Sequence, residues 1–279
     1  MIKKIIFVLL SASFTLLRAS QAPYLSVNLH PHPVGMFSVF SYVAGILHGY
    51  DTHHYSGIEV NFENFGLYYD PEHGPNWWEY YCEPIRLGNQ DHAPIKHFDL
   101  ADYETYAYFL QRHLNREQVY HLIQKYIKIQ APIQKKIDAF VLENFSGHHV
   151  ISVHYRGTDK IIEAPHVPYH EALESINRYI RQTNLQDYKI FVASDELQFI
   201  EFLQKSFANA VITYSTQRSS DGKPLHLKRL NPYLHGEEAL IDCILLSKGN
   251  VLIRTSSNLS LWSTYFNPSI QTIALSERY

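Results

Sequence analysis

His149-Val150-Ile151-Ser152-Val153-His154-Tyr155-Arg156-Gly157-Thr158-Asp159-Lys160 decides the fold of this chain. The first half is an apolar run that reads as a buried strand, and the second half is a charged loop. Together they put one arginine and one lysine at the carboxyl edge of a sheet, where open α/β sheets bind their ligands. Arginine offers a fixed fork of donors matched to phosphate, and lysine adds a mobile point charge. Asp159, between them, can hold the arginine or hydrogen-bond a ligand. The loop therefore reads either as a site for a diphosphate whose bond to a sugar must break, or as a surface salt-bridge loop.

The pattern on either side of this stretch sets the class. Downstream, a helix from Pro168 is followed by a strand over 188–193, a helix over 196–207 and a strand over 210–214. A polar loop over 215–236 then leads to a helix over 237–248, a strand over 251–253 and a last helix starting near Ser257. Strands alternating with helices imply a mostly parallel sheet with right-handed crossovers. Gly249 is placed to stop the helix before it. Upstream, the reading gives a strand from Tyr24 to Leu29, a helix from about Met36 to His48 and a strand over 57–62. Two helices follow, near 101–113 and 116–144, and Pro132 should kink or split the second. The aromatic stretch from Phe65 to Pro84 reads as a packed cap, or as a platform on which sugar rings could stack.

Composition narrows the function. A net charge of −3 over 279 residues gives no global basic field for nucleic acid. The chain has 17 histidines, but His30-Pro31-His32 and His53-His54 lack the spacing of a zinc site, so no metal is expected. Cys82 and Cys243 are the only cysteines. One disulfide is conceivable in an oxidising compartment, although Cys243 sits in an apolar helical stretch where a buried free thiol is the commoner state. Lys3 and Lys4, the apolar stretch from Ile5 to Leu17, and Ser20-Gln21-Ala22 form a secretory signal pattern over residues 1–22. The apolar part is short of the about 20 residues that a membrane span needs. An uncleaved anchor stays open because Arg18 interrupts the approach to the cleavage site. The expected locale is secreted, periplasmic or lumenal, with no stable membrane span.

Two further polar groups gather at strand ends or inside the same half. Ser194-Asp195-Glu196 can cap a helix or touch a ligand. Arg254-Thr255-Ser256-Ser257-Asn258, between a strand and a helix, offers hydroxyls and backbone N–H groups to an anion, or ordinary capping. Asp242 stands inside the apolar run Ala239–Leu246, where a carboxylate needs a partner. Guanine, with adjacent N1–H and N2–H donors, would be one such partner, and an internal ion pair another.

With these residues in hand, three motifs in order over about residues 150–275 resemble the α1,6-/protein O-fucosyltransferase superfamily, in the branch of the nodulation fucosyltransferases. They are HYRGTDK at 154–160, KIFVASDE at 189–196 and ALIDCILLSKGNVLIRTSSNLS at 239–260. The resemblance implies a GT-B-like α/β fold of two Rossmann-like lobes, with the donor site in the C-terminal lobe. Residues 23–147 would form an acceptor-side lobe with connecting helices, and 148–279 the nucleotide-sugar lobe. It also implies inverting transfer of fucose from GDP-fucose to a glycan or protein acceptor, without a metal. Arg156 would bind the β-phosphate and assist departure of GDP. His154 and Asp242 would hold guanine. Asp159, Asp195, Thr255, Ser256, Ser257 and Asn258 would complete the donor site. Lys160 and Glu163 would lie near the acceptor, with Glu163 as the base. Gly157 stands where many members carry a second arginine. A non-catalytic glycan- or nucleotide-binding protein of the same fold is the alternative.

Overall fold

A computed structural model describes residues 22–28, 34–64, 66–98, 100–157, 167–214 and 231–275, with backbone alone at 100–104, 107 and 108. Nine strands and nine α-helices lie within those residues. The strands are β1 (Tyr24–Val27), β2 (Gly57–Val60), β3 (Arg86–Gly88), β4 (Ile95–His97), β5 (His149–Tyr155), β6 (Tyr188–Ser194), β7 (Val211–Ile212), β8 (Val251–Arg254) and β9 (Gln271–Ala274). The helices are α1 (Met36–Thr52), α2 (Trp78–Tyr81), α3 (Leu100–His113), α4 (Arg116–Tyr126), α5 (Ala131–Asn144), α6 (Tyr169–Thr183), α7 (Leu197–Phe207), α8 (Pro232–Ser247) and α9 (Asn258–Phe266).

The strands form two sheets. One has the order β3-β2-β1-β4, with only the β2–β3 pair antiparallel. The other has the order β7-β6-β5-β8-β9 and is parallel throughout. The long β5 is buried over all but its first residue. Side chains alternate across a strand, and this one divides its two apolar sets cleanly. Ile151, Val153 and Tyr155 pack with Ile176 of α6 and Phe199 and Leu203 of α7. Val150, on the other face, joins a core that includes Leu240, Leu245 and Leu246 of α8. Strands covered on both faces read as continuous apolar runs, which is why this half announces itself in the sequence.

The second core does not stop at the C-terminal sheet. It continues through α9 to Phe37, Phe40 and Val43 of α1 and on to Leu25 and Val27 of β1. Polar bonds reinforce the same seam. Trp262 Nε1 donates to Ser41 Oγ at 2.8 Å, and the Arg116 guanidinium donates to Ile270 O and Thr272 Oγ1. Lys136 of α5 pairs with the carboxylate of Glu237 on α8, which also accepts from Tyr233 Oη.

Most elements lie where the pattern predicts, with instructive departures. The expected helix over 116–144 is two helices, and Pro132 sits in the first turn of the second, where its missing N–H costs nothing. Helix α8 begins at Pro232, not Glu237. Asn231 caps it, its side chain accepting from Leu234 N. Gly249 does follow that helix, but its role is spatial. A Cβ there would lie 2.3 Å from Ser152 Oγ and 3.1 Å from Val150 O. The aromatic stretch is the packed cap: Trp77 and Trp78 are 3% and 0% exposed, the first stacked on Phe62 and the second tilted against Phe40, so neither can serve as a sugar platform. Cys82 and Cys243 are both buried free thiols. No helix among the described residues is long and apolar enough to cross a membrane, and residues 1–21 of the expected signal lie outside them.

Candidate functional site

In the C-terminal sheet, β5 through β7 run outward in one direction and β8 and β9 in the other. The strand order therefore reverses between β5 and β8, and a crevice opens at the carboxyl ends of two such strands. The loops at that point are the Arg156 loop, after β5, and the Thr255–Asn258 turn, after β8.

Backbone and side chains lock these loops together. Thr255 N donates to His154 O at 3.1 Å, and Arg156 N donates to Thr255 Oγ1 at 3.0 Å. From the other side, Gly157 N donates to Asp195 Oδ1 at 3.2 Å. The second oxygen of the same carboxylate lies 3.9 Å from Arg156 Nε. Asp195 thus holds the arginine loop and lies beside the guanidinium, a task expected as one option of Asp159. The Arg156 side chain keeps 31% exposure, so it is seated on the sheet edge without being sealed in.

Glu196 occupies the space beside Gly157. A Cβ on that glycine would come within 2.4–2.5 Å of the Glu196 carboxyl group. Tyr169 Oη donates to Glu196 Oε2 at 2.6 Å. Burial first, then this bond to the carboxylate, push the Tyr169 hydroxyl above its ordinary range. The space beside Gly157 is thus filled by a carboxylate anchored from α6.

His154 and Asp242 both lie on the other side of the strand. His154 follows Val150 and Ser152 in the alternation, so it faces α8, and it is 4% exposed. Asp242, on α8, is 8% exposed. Its charge is one of those that help burial raise the hydroxyl of Tyr214. The histidine and aspartate expected to hold guanine therefore share one side of the sheet.

The turn after β8 does structural work as well. Ser257 caps α9, its Oγ accepting from Leu259 N. Asn258 ties the two halves: its Nδ2 donates to Ser38 Oγ at 2.7 Å, and its Oδ1 accepts from Gln111 Nε2 at 3.3 Å. Ser256, just before them, is partly buried. Asp159, Lys160 and Glu163 lie outside the described residues. Among those that are described, no three His, Cys, Asp or Glu side chains cluster in a way that could hold a metal ion.

Sequence reasoning overlooked Tyr68, from the aromatic cap. Its ring stacks on His235 of α8, with centroids 5.8 Å apart and planes 17° off parallel, and Arg156 lies near enough for its charge to act on the phenol. Nothing in its local sequence marks it, because it is one of four tyrosines between Tyr68 and Tyr81.

Two mostly parallel sheets, a switch point after β5 and a shared seam define a GT-B-like fold. Solved structures agree with it. A NodZ α-1,6-fucosyltransferase soaked with GDP-fucose superposes with a TM-score of 0.60 at 15% identity, over 89% of this chain and 94% of the other. The Arabidopsis thaliana FUT1 mutant in complex with GDP gives 0.57 at 9% identity, over 93% and 72%. The family model for Nodulation protein Z (NodZ) matches residues 108–278, and the chain belongs to that family. Nodulation protein Z of Sinorhizobium fredii is 26% identical over 136 residues, which are 46% of this chain and 42% of that protein. The match thus spans less than half of that relative.

Proposed function

We propose that this chain is an inverting glycosyltransferase that moves fucose from GDP-fucose to a hydroxyl of a glycan or protein acceptor. The observation that carries the reading is the Arg156 loop at the switch point, held by Thr255 on one side and Asp195 on the other. Its place in the NodZ family supports the choice of donor, since a NodZ relative was solved with GDP-fucose.

Negative charge grows on the β-phosphate as the glycosidic bond breaks. A guanidinium already aimed there stabilises the transition state more than the ground state. Asp195 acts through Arg156, as a positioning residue. Thr255 fixes the backbone of the arginine loop, and Ser256 and the first-turn N–H groups of α9 offer further donors to the diphosphate. His154 and Asp242 take the guanine, one carboxylate accepting from N1–H and N2–H together. Glu163 removes the acceptor proton, Lys160 assists on the acceptor, and the nucleophile attacks opposite the departing GDP. Arginine and a helix N-terminus meet the phosphate charge, so transfer continues in excess chelator. Residues 1–22 direct export, which N-terminal sequencing of the exported protein checks.

Titration of the purified chain with GDP, UDP and ADP tests the donor class, and selectivity for GDP is expected. Transfer from GDP-fucose to an oligosaccharide, with the anomeric configuration of the product read by NMR, tests sugar and stereochemistry. Glu163→Gln lowers transfer more than about tenfold while GDP binding stays the same. A chain that binds no nucleotide overturns the reading.

A further inference from the structure

Tyr68 belongs to the N-terminal half, yet its ring packs on His235 of α8 in the C-terminal half. The side chain is 5% exposed, set between Trp77, at 5.4 Å between centroids, and His235. Its oxygen accepts the backbone N–H of Met36, the first residue of α1, at 2.9 Å. A phenol that accepts one bond still has its own O–H to donate. Among the described residues no acceptor takes that proton. A buried donor left unmatched costs about 1–3 kcal/mol, so a partner from outside the chain is the natural account.

The surroundings say what kind of partner. The first turn of α1 carries no acidic residue, and Gly35 before it supplies no side-chain cap. The positive end of that helix is therefore not neutralised locally. Ser38, two residues on from Met36, takes the Asn258 amide at 2.7 Å, which sets this turn against the Ser256–Asn258 turn of the other half. The charge of Arg156 reaches the Tyr68 hydroxyl and opposes the upward push that burial gives it. Tyr68 is bonded to the start of α1, Ser38 ties that turn to Asn258, and Thr255 three residues earlier holds the arginine loop, so the three lie along one seam where an anion would find donors.

We propose that Tyr68 is a donor-binding residue supplied by the N-terminal half, whose hydroxyl, polarised by the Met36 N–H, donates to the diphosphate that Arg156 holds. The hydrogen-bond chain from Met36 N–H through Tyr68 O–H to phosphate carries the N-terminus of α1 one bond further into the crevice, and serial bonds polarise one another. The inference rests on the GDP-sugar reading above and adds a contact to it.

Calorimetric titration with GDP, and with guanosine by competition, separates the two. In Tyr68→Phe the ring and its stacking survive and only the hydroxyl goes. GDP affinity should fall about tenfold, the size of a hydrogen bond to a charged group, while guanosine affinity is unchanged. If the Phe variant does not fold, Tyr68→Met repeats the comparison. A variant that binds GDP as tightly as the wild type overturns the inference and leaves the donor reading standing, and so does one that loses GDP and guanosine equally. Wild-type protein that binds no GDP overturns the donor reading and this inference with it.

Discussion

The two sheets are both mostly parallel, but they differ in how deeply they are set. In the C-terminal sheet, helices cover both faces and β5, β6 and β8 are almost wholly buried. In the N-terminal sheet only β1 is fully enclosed, and β3 and β4 lie at the edges with most of their residues exposed. The polar groups with chemistry to do stand at the carboxyl ends of the buried strands, where a less polar surround makes each charge count for more. The N-terminal half presents a helix end and one tyrosine instead. Depth goes with the polar strand-end loops in the C-terminal half, and the N-terminal half serves mainly as cover.

The largest expected effect tests the deep half directly. Arg156→Ala should lower turnover about 100-fold or more, by analogy with loss of an oxyanion donor. Lysine should rescue poorly because it cannot form the fork. Near wild-type steady-state rates in the alanine variant would place the chemistry elsewhere. Asp242→Asn comes next. It swaps one acceptor for a donor that opposes guanine, and GDP affinity should weaken by roughly 1–3 kcal/mol in a chain whose circular dichroism is unchanged. Equal GDP affinity would make Asp242 structural.

A matched pair of substitutions then compares the sheets themselves. Gly249→Ala forces a Cβ against Ser152 and Val150 of β5, and urea unfolding should show a loss of about 1–3 kcal/mol. Ile95→Thr, on edge strand β4 at 44% exposure, should stay within about 0.5 kcal/mol of wild type. Similar losses at both positions would break the contrast.

The smallest effect concerns the opposite end of β5. Burial lowers the pKa of His149 from its ordinary 6.5, so the folded chain favours the neutral ring. Its contribution to stability is complete above the unfolded pKa and is lost as pH falls through the folded one. Denaturation midpoints at pH 7.5 and pH 5.5 should therefore differ more in the wild type than in His149→Gln. An identical pH dependence in the two would remove His149 from the account.

The same contrast explains what was legible beforehand. Strands β5, β6 and β8 are apolar runs bounded by polar loops, and the sequence reading places all three within a residue or so. Strands β3 and β4 span three residues each and carry no alternation, and β9 is a partly exposed edge, so none of the three has a pattern to read. The early start of α8 is hidden in a polar stretch, although Asn231-Pro232, an asparagine cap followed by proline in the first turn, is a start signal. At the site, Arg156, Asp195 and Thr255 were legible because they end strands. That Asp195 would steer Arg156 was not, since the bond spans 39 residues of chain. The roles of Ser38, Gln111 and Tyr68 depend on how the two halves meet, which no local pattern encodes.

That meeting has a consequence for how the molecule can be divided. One apolar core runs from β1 and α1 through α9 to Phe191 and Leu252 of the C-terminal sheet. Cutting the chain before β5 would strip cover from that face and leave α9 with its tryptophan, Trp262, bare. The C-terminal half is therefore not a detachable module onto which different N-terminal halves could be grafted at will. Any exchange of acceptor specificity has to proceed residue by residue along the seam, with the core kept intact at every step.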